Sequence, residues 1–279
     1  MNYRHEFHAG NFADVFKHII LTRALLHLKM KPAPFRYIET HAGGGLYDLM
    51  APEAGKPAEW QGGIGRACAA AIPPTVKPLL EDYLSVETPL YTGRPHRYGG
   101  SPEIARSLLR RHDRILLCEL YPPAASALRA SVRDKRAKIF EMDGYAALKA
   151  FLPPVERRGL ILIDPPFEAP EEFTSALDAI EMAHRKFATG TILFWYPVKD
   201  TEAAAEMAAD LKRRKIRRVL RIELQIDTPK HLGPLARCGL IVVNPPYLLD
   251  WEAELLIPWL ADLLSAGRPG YLVEWLSGA

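Results

Sequence analysis

The chain predicts an α/β fold, a mostly parallel sheet of seven strands covered by helices, on three observations. Short apolar runs of strand length recur along it, stretches with helical spacing separate most of them, and consecutive runs end in glycine or an acid. The strand candidates are FRYIE (35–39), RILLCEL (114–120), AKIFEM (137–142), GLILID (159–164), TILFWYPV (191–198), VLRIELQI (219–226) and GLIVVN (239–244). Between them, SPEIARSLLRR (101–111) illustrates the helical pieces: Ser101 is expected as N-cap, Pro102 at the first helical position, and Ile104, Leu108 and Leu109 along one side.

Two segments stand outside this alternation. Residues 1–30 precede the first strand and hold an added helix from about Asn11, a good cap, to about Met30. Residues 46–98 mix loop signals, APEAGKPAEWQGG, with helical pieces near 63–71 and 76–86. A structureless loop of that length does not suit a compact domain, so a small helical subdomain inserted over the sheet's ligand edge is expected. The whole, 1–279, then reads as a single domain.

Composition bounds the function classes. With 48% hydrophobic and 25% charged residues, the chain is neither disordered nor collagen-like. A net charge of +3 permits an anionic partner without requiring one. Cys68, Cys118 and Cys238 form no C-x-x-C pair, which argues against a zinc cluster or disulfide framework and fits a reducing, cytoplasmic setting. No apolar run approaches the roughly 20 residues of a membrane span. The N-terminal stretch is too polar and interrupted for a signal peptide. A monomer without membrane contact is expected.

The chemistry concentrates at strand ends. After the first strand comes ETHAGGG (39–45), where three glycines let the backbone turn sharply and approach a ligand. The second ends at Glu119, a bidentate acceptor for a ribose diol, and the third at Asp143-Gly144, which suits an adenine edge. The fourth delivers Asp164-Pro165-Pro166-Phe167. Two prolines keep the backbone extended and withhold N–H donors, so the carboxylate and a carbonyl face outward as acceptors. That arrangement suits an exocyclic amine such as adenine N6. Two acceptors would draw its nitrogen toward sp³ and aim the lone pair at an electrophilic methyl, with Phe167 stacking on the base and Asp164 taking the proton. S-adenosylmethionine is the methyl donor this chemistry calls for.

A second motif, Asn244-Pro245-Pro246-Tyr247, closes the last run. The connection 227–238 has no helix for a right-handed crossover, so this strand is expected to return antiparallel and place Asn244 at the opposite edge in a structural role.

On a helix from Asn11, residues Asp14, Lys17, His18 and Leu21 share one face. The plainest reading is an exposed Asp14–Lys17 or Asp14–His18 pair of little energetic value. Tyr3, Arg4 and His5, just ahead of it, would instead fold over the pocket as an aromatic and cationic lid. His5, His8 and His18 have no firm ligand spacing, so no metal is expected. Basic clusters at 133–138 and 212–218 read as solvated helix ends, with one RNA-facing patch expected in a chain of this charge.

Taken together, YRHEFHAGNFADVFKH, ETHAGGG, GGSPEIAR, the Asp-Gly at 143–144, RRGLILIDPPF and KFATGTILFWYPV resemble the bacterial 23S ribosomal RNA adenine-N6-methyltransferase family called RlmJ, over nearly the whole chain. The resemblance implies a Rossmann-like class I methyltransferase fold with a helical insertion. It implies S-adenosylmethionine as cofactor and methylation of one flipped adenine of 23S rRNA before subunit assembly. By matching position it implies that His18, His41, Ser101, Glu119, Asp143 and Gly144 contact the cofactor, that Asp164 is the catalytic acceptor, and that Tyr3, His5 and Lys17 serve the substrate side. Phe167 stands where the family has tyrosine, which removes a hydroxyl but keeps a stacking face. The rival readings are a non-catalytic RNA-binding protein with a relic nucleotide pocket, an adenine methyltransferase acting on another nucleic acid, and a nicotinamide dehydrogenase that leaves Asp-Pro-Pro-Phe unexplained.

Overall fold

The computed structural model describes residues 5–51, 58–169, 171–230 and 233–278. Its frame is an eight-stranded sheet. In chain order the strands and helices begin with α1 (Phe12–Lys29), β1 (Arg36–Glu39), β2 (Leu46–Asp48), α2 (Ile64–Ala69), α3 (Lys77–Thr92) and β3 (Arg97–Gly99). Next come α4 (Ser101–Leu108), β4 (Arg114–Cys118), α5 (Pro122–Ser131), β5 (Ala137–Phe140), α6 (Gly144–Phe151) and β6 (Gly159–Ile163). The remainder is α7 (Glu172–Lys186), β7 (Thr191–Pro197), α8 (Thr201–Arg213), β8 (Val219–Gln225), β9 (Arg237–Val243), α9 (Leu249–Leu264) and β10 (Gly270–Ser277).

Across the sheet the order is β10-β8-β9-β7-β6-β1-β4-β5. Strands β1, β4, β5, β6 and β7 are mutually parallel. Strand β9 runs antiparallel between β7 and β8, so β8 again points with the parallel set. Successive strand residues point to opposite faces and feed two separate cores. Tyr37, Leu160 and Leu162 face α1, α4 and α9, whereas Ile38, Ile161 and Ile163 face α6, α7 and α8. All five residues of β6 are buried, as expected of a central strand covered on both sides.

The seven predicted strands are all present, and the sheet has one more. Strand β10 pairs antiparallel with β8 at the edge. It escapes a reading based on continuous apolar runs because most of it is only half-buried. A short ladder, β2 with β3, joins the two ends of the segment that carries α2 and α3. Three-residue strands leave too little pattern to read.

Helix α1 follows its predicted bounds, with Asn11 Oδ1 accepting from the amides of Ala13 and Asp14 at 3.0 Å. It is not a peripheral addition. Val15, Phe16, Ile19, Ile20, Leu21 and Leu25 point around the whole helix and are all buried, as a helix apolar on every side requires. Ser101 is not the N-cap of α4. Gly100 takes that place, Ser101 is the first helical residue, and its hydroxyl turns to a buried carboxyl instead.

Asn244 sits at the opposite edge from Asp164, because β9 ends where β7 begins. Its backbone is left-handed, φ 49°, and its side-chain amide donates to the carbonyls of Ala188 and Gly190 at 2.8 and 2.9 Å. Asn244→Ala therefore loses two hydrogen bonds and the residue type that tolerates this conformation. The expected outcome is a loss of about 2 kcal/mol, read as a fall of roughly 5 °C in Tm, with the methyl transfer that the resemblance implies unchanged below the transition. A well-folded but inactive variant would contradict this assignment.

Candidate active site

The carboxyl ends of β1, β4, β5 and β6 open into one cleft of about 990 Å³. Its lining contains His5, Lys17, His18, His41, Ser101, Glu119, Asp143, Gly144, Asp164 and Phe167, so every expected site residue within the described set converges there. Tyr3 and Arg4 lie outside the described residues.

The centre of the cleft is a chain of charges. Asp164, directly after β6, accepts from Lys17 Nζ at 2.5 Å through Oδ2, and the same ammonium lies 2.9 Å from Asp14 Oδ1. Asp14 Oδ2 in turn meets His5 Nε2 and the Gly10 amide, each at 3.0 Å. Asp14 and Lys17 are 2% and 3% exposed, so the pair is buried rather than on the surface. Burial alone would lower the Lys17 pKa, but the charges of Asp14 and Asp164 outweigh it and hold the ammonium well above its ordinary range. For Asp14 burial pushes upward, and His5 and Lys17 overcome it, keeping the carboxylate well below its usual value. Lys17 also lies 6.0 Å from the centroid of Trp195, where the ring face favours a cation.

Around this chain lie groups suited to a nucleoside and an amino acid tail. Gly43 and Gly45 turn with φ of 61° and 78°, and the Gly43 amide donates to Glu119 Oε2 at 2.8 Å. The Tyr121 amide holds the other Glu119 oxygen at 2.8 Å, fixing the carboxylate at the tip of β4. Asp143 caps α6 through Oδ1, from the amides of Tyr145 and Ala146. A side chain at Gly144 would meet the Thr40 carbonyl oxygen at 2.1 Å, so close strand packing by itself requires that glycine. Phe167, with φ 51°, packs 4.9 Å from Phe173 and 5.9 Å from Trp195, centroid to centroid.

Burial favours the neutral form of two histidines. Burial drives His18 well below its ordinary pKa, with Lys17 acting in the same direction, and burial takes His41 down to about 4. His18 Nδ1 lies 2.6 Å from the Tyr98 hydroxyl, which Tyr83 backs at 3.4 Å. With Tyr98 donating, the proton sits on His18 Nε2, a buried atom without a hydrogen-bond partner among the described residues. An orphaned donor of this kind fits a ligand carboxylate.

A family model described as "Ribosomal RNA large subunit methyltransferase D, RlmJ" matches residues 32–277. The chain belongs to this family. Among RlmJ relatives it is similar to "Ribosomal RNA large subunit methyltransferase J" of Escherichia coli K12, with 39% identity over 279 residues and 99% of each chain covered. The Haemophilus influenzae Rd protein of the same name is 38% identical over 281 residues, again with 99% of each covered. Among solved structures, a Legionella pneumophila protein is 36% identical with a TM-score of 0.87, covering 96% of this chain and 98% of that one. The resemblance read from the motifs thus holds over the full chain.

Two residues of this RlmJ cleft, and one buried carboxyl bonded to its Ser101, escaped the sequence reading as site groups. Asp14 was recognisable as a helix-face neighbour of Lys17, but only a helix apolar all round signals that the pair is buried. Trp195 gave no signal beyond its strand. Glu39 stands at the tip of β1, where the acids of the next strands are read as ligands, yet it is wholly buried. It accepts from Ser101 Oγ and, at 2.8 Å, from the Tyr37 hydroxyl. Burial raises its pKa to about 8 against the pull of those two donors.

A carboxyl raised from 4.5 to about 8 binds a proton in the folded state that the unfolded chain releases. Its contribution to stability is complete below about pH 4.5 and is lost as pH rises toward 8. Glu39→Gln removes this dependence, so its stability relative to the parent should climb between pH 5 and 8, by about 1.4 kcal/mol per unit at most. Chemical denaturation at several pH values measures this. A pH-independent difference would show that Glu39 is charged in the native protein.

Proposed function

We propose that this chain methylates the N6 amino group of an adenine in 23S rRNA, acting on free rRNA before subunit assembly. Membership of a ribosomal RNA large subunit methyltransferase family supports the reaction class and substrate. The observation that carries the mechanism is the Lys17–Asp164 pair standing in the cleft beside Phe167 and Trp195. The methyl donor is S-adenosylmethionine, which supplies an electrophilic methyl on a sulfonium. The residues present fit it: His18 Nε2 for its carboxylate, Ser101 and His41 nearby, Glu119 for the ribose, and Asp143 with Gly144 for the adenine.

The chain's own part is orientation and proton handling. Lys17 holds Asp164 through Oδ2, which fixes the carboxylate rotamer and leaves Oδ1 to accept from the substrate amine. Pro165 and Pro166 restrict Asp164 and Pro165, the residues before them, to extended backbone, so a carbonyl there can act as the second acceptor. As the nitrogen becomes cationic its proton turns strongly acidic, so even a lysine-paired carboxylate suffices to take it. Phe167 and Trp195 offer faces for a flipped base, at about 1–3 kcal/mol per stacked base. His5, tied to Asp14, and Tyr3 serve the substrate side. The lid role falls to the part of residues 1–30 ahead of α1, since the helix is core, and 46–98 acts as an inserted cover. The protein works as a cytoplasmic monomer. The intact ion pair at the cleft distinguishes this reading from a relic pocket.

Incubation with labelled S-adenosylmethionine and unmodified 23S rRNA should yield N6-methyladenine by mass spectrometry. Asp164→Ala should reduce turnover at least 1,000-fold while changing cofactor Kd less than about three-fold, because Asp14 still pairs with Lys17. Full turnover in that variant, or label confined to DNA, would overturn the proposal.

A further inference from the structure

The cleft just described is poorly suited to attracting a polyanion. Its aspartates and glutamates outnumber its lysines and arginines among the described residues, and Lys17 is already committed to two carboxylates. An enzyme acting on RNA must draw its electrostatic affinity from elsewhere. The opposite edge of the sheet supplies it. Of the six strands that share one direction, β1 and β4 begin on Arg36 and Arg114, while β5, β6 and β8 directly follow Arg136, Arg158 and Arg218. Only β7 lacks an arginine there. The register places these five at one level, since Arg36 pairs with both Arg114 and Gly159, Ile115 with Ala137, and Val219 with the end of β9. The two basic clusters of the sequence, 133–138 and 212–218, therefore fall on the same edge.

This rim has two layers. The inner arginines hold loops: Arg158 donates to the carbonyls of Leu28 and Ala33, and Arg136 to those of Leu109 and Arg106 as well as to Asp134. The guanidinium of Arg158 is stabilised by neutral oxygens rather than an acid, and burial and the charge of Arg110 lower its pKa. Outside them, Arg111, Arg114, Arg133 and Lys135 join Arg136 around a hollow of about 570 Å³ whose one acid, Asp134, is already taken by Arg136. Arg111, Arg133 and Lys135 are exposed and have no ion pair among the described residues. The exposed cations Arg111, Arg133 and Lys135 repel one another, and an outside anion would relieve that repulsion.

We infer that the arginine rim at the amino ends of the parallel strands, centred on Arg111, Arg133 and Lys135, is a docking surface for the phosphodiester backbone of rRNA remote from the methylated adenine. The inference rests on the function proposed above and adds where the substrate is held. At about 3.3 Å per strand residue, the two edges lie roughly 17 Å apart. The partner is therefore an RNA long enough to reach both the rim and the cleft, whereas a trimmed fragment reaches only the cleft.

The test compares the parent with the triple variant Arg111→Gln, Arg133→Gln, Lys135→Gln, on full-length unmodified 23S rRNA and on the smallest nuclease-trimmed fragment that still accepts label. The expected result is about a ten-fold rise in KM for the full-length RNA, unchanged kcat, and less than a two-fold change on the fragment. The salt dependence of full-length RNA binding, measured by fluorescence anisotropy, should weaken by about 2 in log–log slope. Equal effects on both RNAs, or none on either, would overturn the inference. Displacement of 23S rRNA by polyglutamate as readily as by unrelated RNA would assign the rim to an acidic protein instead. If the parent transfers no methyl to any RNA, the proposed function fails, while anisotropy still reports on the rim.

Discussion

A single buried ammonium organises this molecule. Lys17 lies between Asp14, three residues earlier on the same helix, and Asp164, at the tip of the central strand. An isolated charge at that depth would be discharged or expelled, so the lysine is held there by its carboxylate partners. Removing one partner from such a group typically costs about 3–5 kcal/mol. That penalty keeps α1 in register against the sheet, so the same contact that stabilises the fold also aims the carboxylate into the cleft. Stability and cleft geometry are one interaction here, viewed from two sides.

The parts of the fold legible in the sequence were those with strong local patterns. Five-residue apolar runs such as GLILI announce strands buried on both faces, and Asn11 announces the start of α1 through its capping side chain. Strand β10 stayed hidden because most of its residues are only half-buried and form no continuous apolar run. The ladder between β2 and β3 stayed hidden because its strands are too short. The direction of β9 was legible for a topological reason: a connection without a helix permits a return but not a crossover.

Site residues were legible where each sits at a strand tip, as Glu119, Asp143 and Asp164 do. They were misjudged where burial decides their behaviour. Spacing alone makes Asp14 and Lys17 an ordinary helix-surface pair, whereas both are enclosed. Ser101 has the composition of a cap, but a buried carboxyl at Glu39 offers its hydroxyl a better partner. Gly144 has two independent reasons to be glycine, and sequence shows neither which matters nor that Thr40 is the neighbour. In each case the missing information is long-range: the identity of the group across the core.

The contact between Lys17 and Asp164 joins positions 147 residues apart. Helix α1 packs against α9 and β9 as well as β6, so part of its apolar surface stays uncovered until late segments of the chain have emerged. During translation the nascent polypeptide must carry this helix, with its lysine and aspartate, for more than half the time of synthesis before its counterpart arrives. The pair that aims the cleft carboxylate therefore cannot form until residue 164 has been made.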